Sequence, residues 1–132
     1  MALAFIAPGQ GAQFIGMGLE LSKAYPQSRL VYEEVDEALG EKLSDLIWHG
    51  SIDDLTLTEN AQPALMATTL AAFRALQSEG LNADDAKFVA GHSLGEYSAL
   101  AMAGSLSVSD AAKLLRIRGR ACLLYTSPSP RD

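Results

Sequence analysis

The stretch "FVAGHSLGEYSAL", residues 88–100, decides the fold. With Ala86 and Lys87 before it, the apolar run 86–91 reads as a strand, and "LGEYSALAMAG", 94–104, reads as a helix. Ser93 stands between Gly91 and Gly95 where one becomes the other. A G-x-S-x-G motif at a strand-to-helix junction is how a nucleophilic serine is mounted. The turn is strained, the hydroxyl leaves the sheet at a helix N-terminus, and the glycines let neighbouring backbone come close. The N–H of Leu94 then faces the oxyanion that develops on an attacked carbonyl, a donor worth about 3 kcal/mol. A helix-capping serine without chemistry is the plainer alternative.

Working outward, "LAFIA", 3–7, is a second apolar run that stops at Pro8-Gly9 and reads as a buried strand feeding the loop "PGQGAQFIGMG". Helical patterns follow in "LELSKAY" and, after Pro26, in "SRLVYEEVDEAL", where Leu30, Val31, Val35 and Leu39 keep helical spacing and Gly40 stops the run. "EKLSDLIWHG" is a further short helix, and Ser51 with Asp54 offers a cap for the next turn. "AQPALMATTLAAFRALQSEG" has Pro63 at its expected first helical position, a stripe through 66, 69, 70, 73 and 76, and Gly80 as its stop. In "SDAAKLLRIRGRA", Ser109 is the expected N-cap. Strands alternating with helices predict an α/β fold with parallel strands flanked by helices.

At 132 residues and 48% hydrophobic content, the chain suits one globular unit with a real core. A net charge of -6 argues against a nonspecific grip on nucleic acid, which needs a basic face. No apolar run approaches the about eighteen residues of a membrane span, and "MALAFIAPGQ" lacks the basic start of a secretory signal, so a cytoplasmic setting is expected. One cysteine, Cys122, and two histidines, His49 and His92, give no zinc-like cluster, so no metal site is expected. The last residues, "CLLYTSPSPRD", turn Ser/Pro-rich and aperiodic. They read either as a disordered tail or, in a second reading, as the translation of a transposon-end sequencing adapter, which this string resembles. On that second reading native sequence ends near Ala121 and residues 122–132 are a non-native tail.

Three further places could carry chemistry. His92 neighbours Ser93, but adjacent side chains on an extended strand point to opposite faces, so it reads as packed or hydrogen-bonded rather than as the base. His49 reads as exposed. The loop after the first strand fails both nucleotide fingerprints, since Phe14 and Met17 stand where glycine and lysine are required. It can instead supply a second oxyanion donor at Gln10, or simply be a tight turn. In the last helix, Ala111, Leu114 and Leu115 predict a core-facing residue at 118, which is Arg118. Arg116 and Arg120 read as solvent-facing. A guanidinium on the apolar side needs an anionic partner or a substrate carboxylate, unless it snorkels at a fraying helix end.

Taken together, "PGQGAQ", "QPAL" at 62–65, "GHSLGEYSAL" at 91–100 and "RIRGRA" at 116–121 resemble the malonyl-CoA:acyl carrier protein transacylase family of bacterial fatty acid synthesis. The likeness runs over residues 1–121, with alanine at 61 where many members carry threonine. The resemblance implies a hydrolase-like subdomain in which Ser93 takes the malonyl group as an ester and Arg118 pairs with its carboxylate. The Gln10 and Leu94 amides would form the oxyanion hole, and Gln62 and His92 join Arg118 in the substrate-binding set. It implies malonyl-CoA and acyl carrier protein as partners and no cofactor. It also implies that the catalytic histidine and a small ferredoxin-like subdomain lie beyond this fragment, which alone would be inactive. A polyketide-synthase acyltransferase domain, a serine esterase and a non-catalytic binding module are the rival readings.

Overall fold

The computed structural model describes residues 2–126. Among them the chain runs β1 (Ala4–Ala7), α1 (Leu19–Ala24), α2 (Pro26–Leu39), α3 (Leu43–His49), α4 (Ile52–Thr56), α5 (Thr58–Ser78), β2 (Phe88–Gly91), α6 (Gly95–Met102) and α7 (Val108–Thr126). A short 3₁₀ turn at Ala83–Asp85, closed by a reciprocal Asn82–Asp85 cap, precedes β2. The strands pair in parallel with Ala4 opposite Phe88 and Ala7 opposite Gly91. The expected α/β fold with parallel strands and flanking helices is therefore what the chain adopts.

That register places the site. Both strands end at the same level, so the loop after Ala7 and the turn after Gly91 emerge side by side. Ligand sites of parallel sheets form at this carboxyl edge. The ladder extends one step further there, from His92 N–H to the Ala7 carbonyl at 3.2 Å.

Helix α5 is the centre of the core. Residues 61–67 are all buried, so the helix is surrounded rather than one-sided. Tyr32 and Val35 of α2, Leu55 of α4, and Ala111 and Leu115 of α7 complete the packing. The Tyr32 hydroxyl donates to Thr68 Oγ1 at 2.8 Å, and Ser28 Oγ donates to the Ala71 carbonyl at 2.6 Å, tying α2 to α5. The long loop is anchored at its far end, where Met17 is buried and its carbonyl accepts from Trp48 Nε1 at 3.1 Å.

Several expectations need correction. Helix α5 begins at Thr58, so Pro63 lies inside it rather than at its start. Its stripe also shifts, because Leu76 is exposed and Ala64, Leu65 and Ala67 are buried. The α7 cap is Ser107, whose Oγ accepts from the Asp110 N–H at 3.0 Å; Ser109 instead donates to Glu34 of α2. The buried face of α7 runs through Val108, Ala111, Ala112, Leu115 and Gly119, with Leu114 outside it. Strand β1 is not buried as expected: Ile6 is 77% exposed and only Ala7 is covered. Helix α7 continues to Thr126, and residues 127–132 of the expected non-native tail lie outside the described residues.

Candidate active site

The turn that carries Ser93 has the strain the motif requires. Among the described residues Ser93 alone of the non-glycines has positive φ, at 57°. L-residues tolerate that region poorly, and it persists only where surroundings enforce it. The two glycines supply the enforcement. A Cβ on Gly91 would run into the Gly95 carbonyl, and one on Gly95 would lie 2.5 Å from the Ala7 carbonyl oxygen. The helix start thus folds back onto both strand ends, and the exposed Ser93 is left at the edge.

The N-terminus of α6 is close to Ser93. The N–H groups of Gly95, Glu96 and Tyr97 bond to the carbonyls of His92, Ser93 and Leu94. The N–H of Leu94 stands outside that set, at the positive end of the helix. Its side chain is buried and fixes the turn.

Arg118 reaches Ser93 from α7. Its Nη2 donates to Ser93 Oγ at 3.1 Å and its Nη1 to Gln62 Oε1 at 2.8 Å. Gln62 is 2% exposed, so its amide is a fixed, buried acceptor rather than a mobile surface group. The guanidinium also lies 5.8 Å from the centre of the Tyr97 ring, within cation–π range. Gln10 Nε2 donates to Thr58 Oγ1 at 3.3 Å, which brings the first loop to the start of α5. Ser93, Arg118 and Gln62 are therefore joined directly, and Gln10 is tied to the same turn of α5.

His92 is exposed at the carboxyl edge of β2, against the expectation of a packed or hydrogen-bonded ring, although Gly9 runs beside it. A Cβ on Gly9 would lie 2.8 Å from His92 Nδ1. Among the described residues Ser93 Oγ has no hydrogen bond to a histidine; its partner is a guanidinium, which has donors only and cannot accept a proton. His49 is exposed on α3, as expected. No group of His, Cys, Asp or Glu among the described residues is placed to hold a metal ion, and no described helix is long and apolar enough to cross a membrane.

Arg116 overturns its expected solvent-facing role. It is 6% exposed and bonded to the Glu59 carbonyl, Asn60 Oδ1 and the Glu41 carboxylate. Burial, and then the charge of Arg120, pull its pKa below the usual guanidinium value. The reason the stripe misled is composition: α7 turns its alanines, a glycine and this arginine inward and leaves Leu114 and Ile117 outside. Tyr97, in the first turn of α6, was also missed; its place at the site is marked by the Arg118 guanidinium over its ring. Gly119 was a third omission, and a Cβ there would lie 2.6 Å from Glu59 Cα.

A strained serine at the carboxyl edge of parallel strands, backed by a helix N-terminus and faced by an arginine, defines a serine-centred α/β site. The acyl transferase domain family matches residues 4–131, and the chain belongs to that family. It is 51% identical over 117 residues to the malonyl CoA-acyl carrier protein transacylase of Bacillus subtilis (strain 168), covering 89% of this chain and 36% of that protein. The crystal structure of an acyl-carrier-protein-S-malonyltransferase from Bartonella henselae superposes with a TM-score of 0.92 at 55% identity, over 98% of this chain and 41% of that one. A malonyl-transacylase in complex with its type II PKS acyl-carrier protein superposes with a TM-score of 0.88 at 37% identity, over 94% of this chain and 40% of the other. The chain thus spans roughly two fifths of the length of such relatives.

Proposed function

We propose that this chain is the amino-terminal part of a transacylase that moves a malonyl group from malonyl-CoA to the phosphopantetheine thiol of acyl carrier protein. The observation that supports it most is the Arg118 guanidinium, held by buried Gln62 and aimed at Ser93 Oγ. A neutral ester has no use for a fixed cation beside the nucleophile, whereas a diacid half-ester does. A malonyl carboxylate would displace Ser93 as the acceptor of Arg118, freeing the hydroxyl as it anchors the acyl chain.

The reaction then runs in two balanced halves. A base from outside residues 2–126 takes the Ser93 proton, and Oγ attacks the thioester carbonyl carbon. The carbonyl oxygen gains charge between the N–H groups of Leu94 and Gln10, and the carbon–sulfur bond breaks with the proton passing to coenzyme A. The carrier thiol attacks the seryl ester in the reverse sense and regenerates Ser93. His92, beside Gly9, stands at the exposed rim of the substrate site, and buried Gln62 stands behind Arg118. This chemistry needs no cofactor and suits a cytoplasmic enzyme. The histidine base and a small ferredoxin-like subdomain belong to the remaining length that relatives possess, and residues 122–132 are not native to it.

Incubating the full-length enzyme with malonyl-CoA should give a malonyl ester on Ser93, detected by intact mass and peptide mapping. An ester that survives in Ser93→Ala overturns the assignment. The 132-residue chain alone should turn over nothing measurable, since loss of the base from a coupled serine–histidine unit costs about a millionfold in kcat.

A further inference from the structure

The first turn of α5 has a hydrogen-bonding gap. Pro63 lies inside the helix and has no N–H, so the carbonyl of Glu59, four residues earlier, loses its intrahelical donor. Arg116 of α7 fills the gap: its Nη1 donates to that carbonyl at 2.9 Å and to Asn60 Oδ1 at 2.6 Å. Its Nη2 pairs with the Glu41 carboxylate. With Arg116 only 6% exposed as a residue, water cannot replace these acceptors cheaply. Gly119, one turn on, lets α7 approach the same residues, since a Cβ there would meet the Thr58 carbonyl at 2.8 Å.

The turn so held is the one that serves the site. Thr58 takes the Gln10 amide, and Gln62 takes Arg118. Arg116 touches neither Ser93 nor Arg118, yet it fixes the segment from which both partners project. We propose that Arg116 is a positioning residue: by supplying the donor that Pro63 withholds, it locks the first turn of α5 to α7 where Gln62 presents Arg118 to Ser93. A lysine offers a single point charge and cannot reproduce the fork.

The kinetic consequence rests on the reading of Ser93 and Arg118 given above; the structural consequence does not. In the full-length enzyme, kcat/KM is measured for malonyl-CoA and acetyl-CoA in wild type, Arg116→Gln, Arg116→Lys, Pro63→Ala and the double variant Pro63→Ala/Arg116→Gln. The ratio of the two values cancels the fraction of folded enzyme. It should fall about tenfold in Arg116→Gln, mainly through a higher malonyl KM, and less in Arg116→Lys. The double variant should recover most of the loss, because alanine in place of Pro63 restores an N–H for the Glu59 carbonyl. Amide exchange over residues 59–64 in the ligand-free protein should quicken in Arg116→Gln and slow again in the double variant. Equal losses for both substrates, or no rescue by Pro63→Ala, overturn the assignment. If wild type acylates Ser93 with neither substrate, the proposed function fails, and amide exchange alone then decides the role of Arg116.

Discussion

The seam between α5 and α7 and the face of the two-stranded sheet are built on opposite terms. The seam sets Pro63, the buried Arg116 and Gly119 beside apolar residues such as Ala111 and Leu115, and it is closed tightly enough that a single Cβ at Gly119 would strike backbone. The sheet face also carries large hydrophobic residues and yet is open. Ile6 is 77% and Phe88 71% exposed, and a cavity of about 490 Å³ lined by Phe5, Ile6, Phe14, Phe73 and Leu76 lies over β1. Apolar content therefore says which residues gain by burial, not where the interior is. Shape and hydrogen-bond completion decide the latter.

The contrast can be broken most directly with Leu70→Ala at the centre of α5, where the side chain is fully buried. It should cost about 2–5 kcal/mol in urea unfolding of this chain. A loss under about 1 kcal/mol would mean that the helical layer is as loose as the sheet.

Next in size is a pH effect. Burial pushes the Tyr32 hydroxyl up to about 12, although its bond to Thr68 pulls the other way. The unfolded chain loses this proton near pH about 10, so the folded chain holds it longer. Stability from Tyr32 is therefore complete below pH about 10 and is lost as pH rises through about 12, by about 2–3 kcal/mol. Tyr32→Phe should flatten most of that slope; an unchanged slope would place the titration elsewhere.

How much of this was legible in the sequence depends on what each element uses to hold itself. The Ser93 turn was readable because G-x-S-x-G between a strand and a helix leaves few backbone solutions, and φ of 57° is the result. Arg118 was picked out by a stripe that included Leu114, yet Leu114 is exposed, so a misaligned face pointed to a residue that does reach Ser93. Arg116 was illegible because a charge reads as solvent-facing unless one knows that Pro63 has stranded a carbonyl across the seam. The start of α5 was misplaced for the same reason: a proline usually opens a helix, and here a donor from another helix lets it sit inside one.

Gly119→Ala sharpens the comparison at a finer scale. The added methyl meets backbone rather than a flexible side chain, so α7 must move, at a cost of about 1–3 kcal/mol. Arg118 should then lose part of its grip on Gln62, which on the function proposed above would be visible in the full-length protein as weaker malonyl selectivity. Ile6→Thr, on the open face, should change the stability of this chain in urea by less than about 0.5 kcal/mol. A larger loss would show that the face is covered in solution.

The backbone at Ser93 has an evolutionary corollary. Glycine is at ease where serine is forced, so Ser93→Gly should raise the melting temperature even as it removes the hydroxyl from that turn. A selection for heat tolerance alone would drift toward that variant, which on the function proposed above has no nucleophile. Survival of the serine in any such lineage therefore records a demand for chemistry, not for durability.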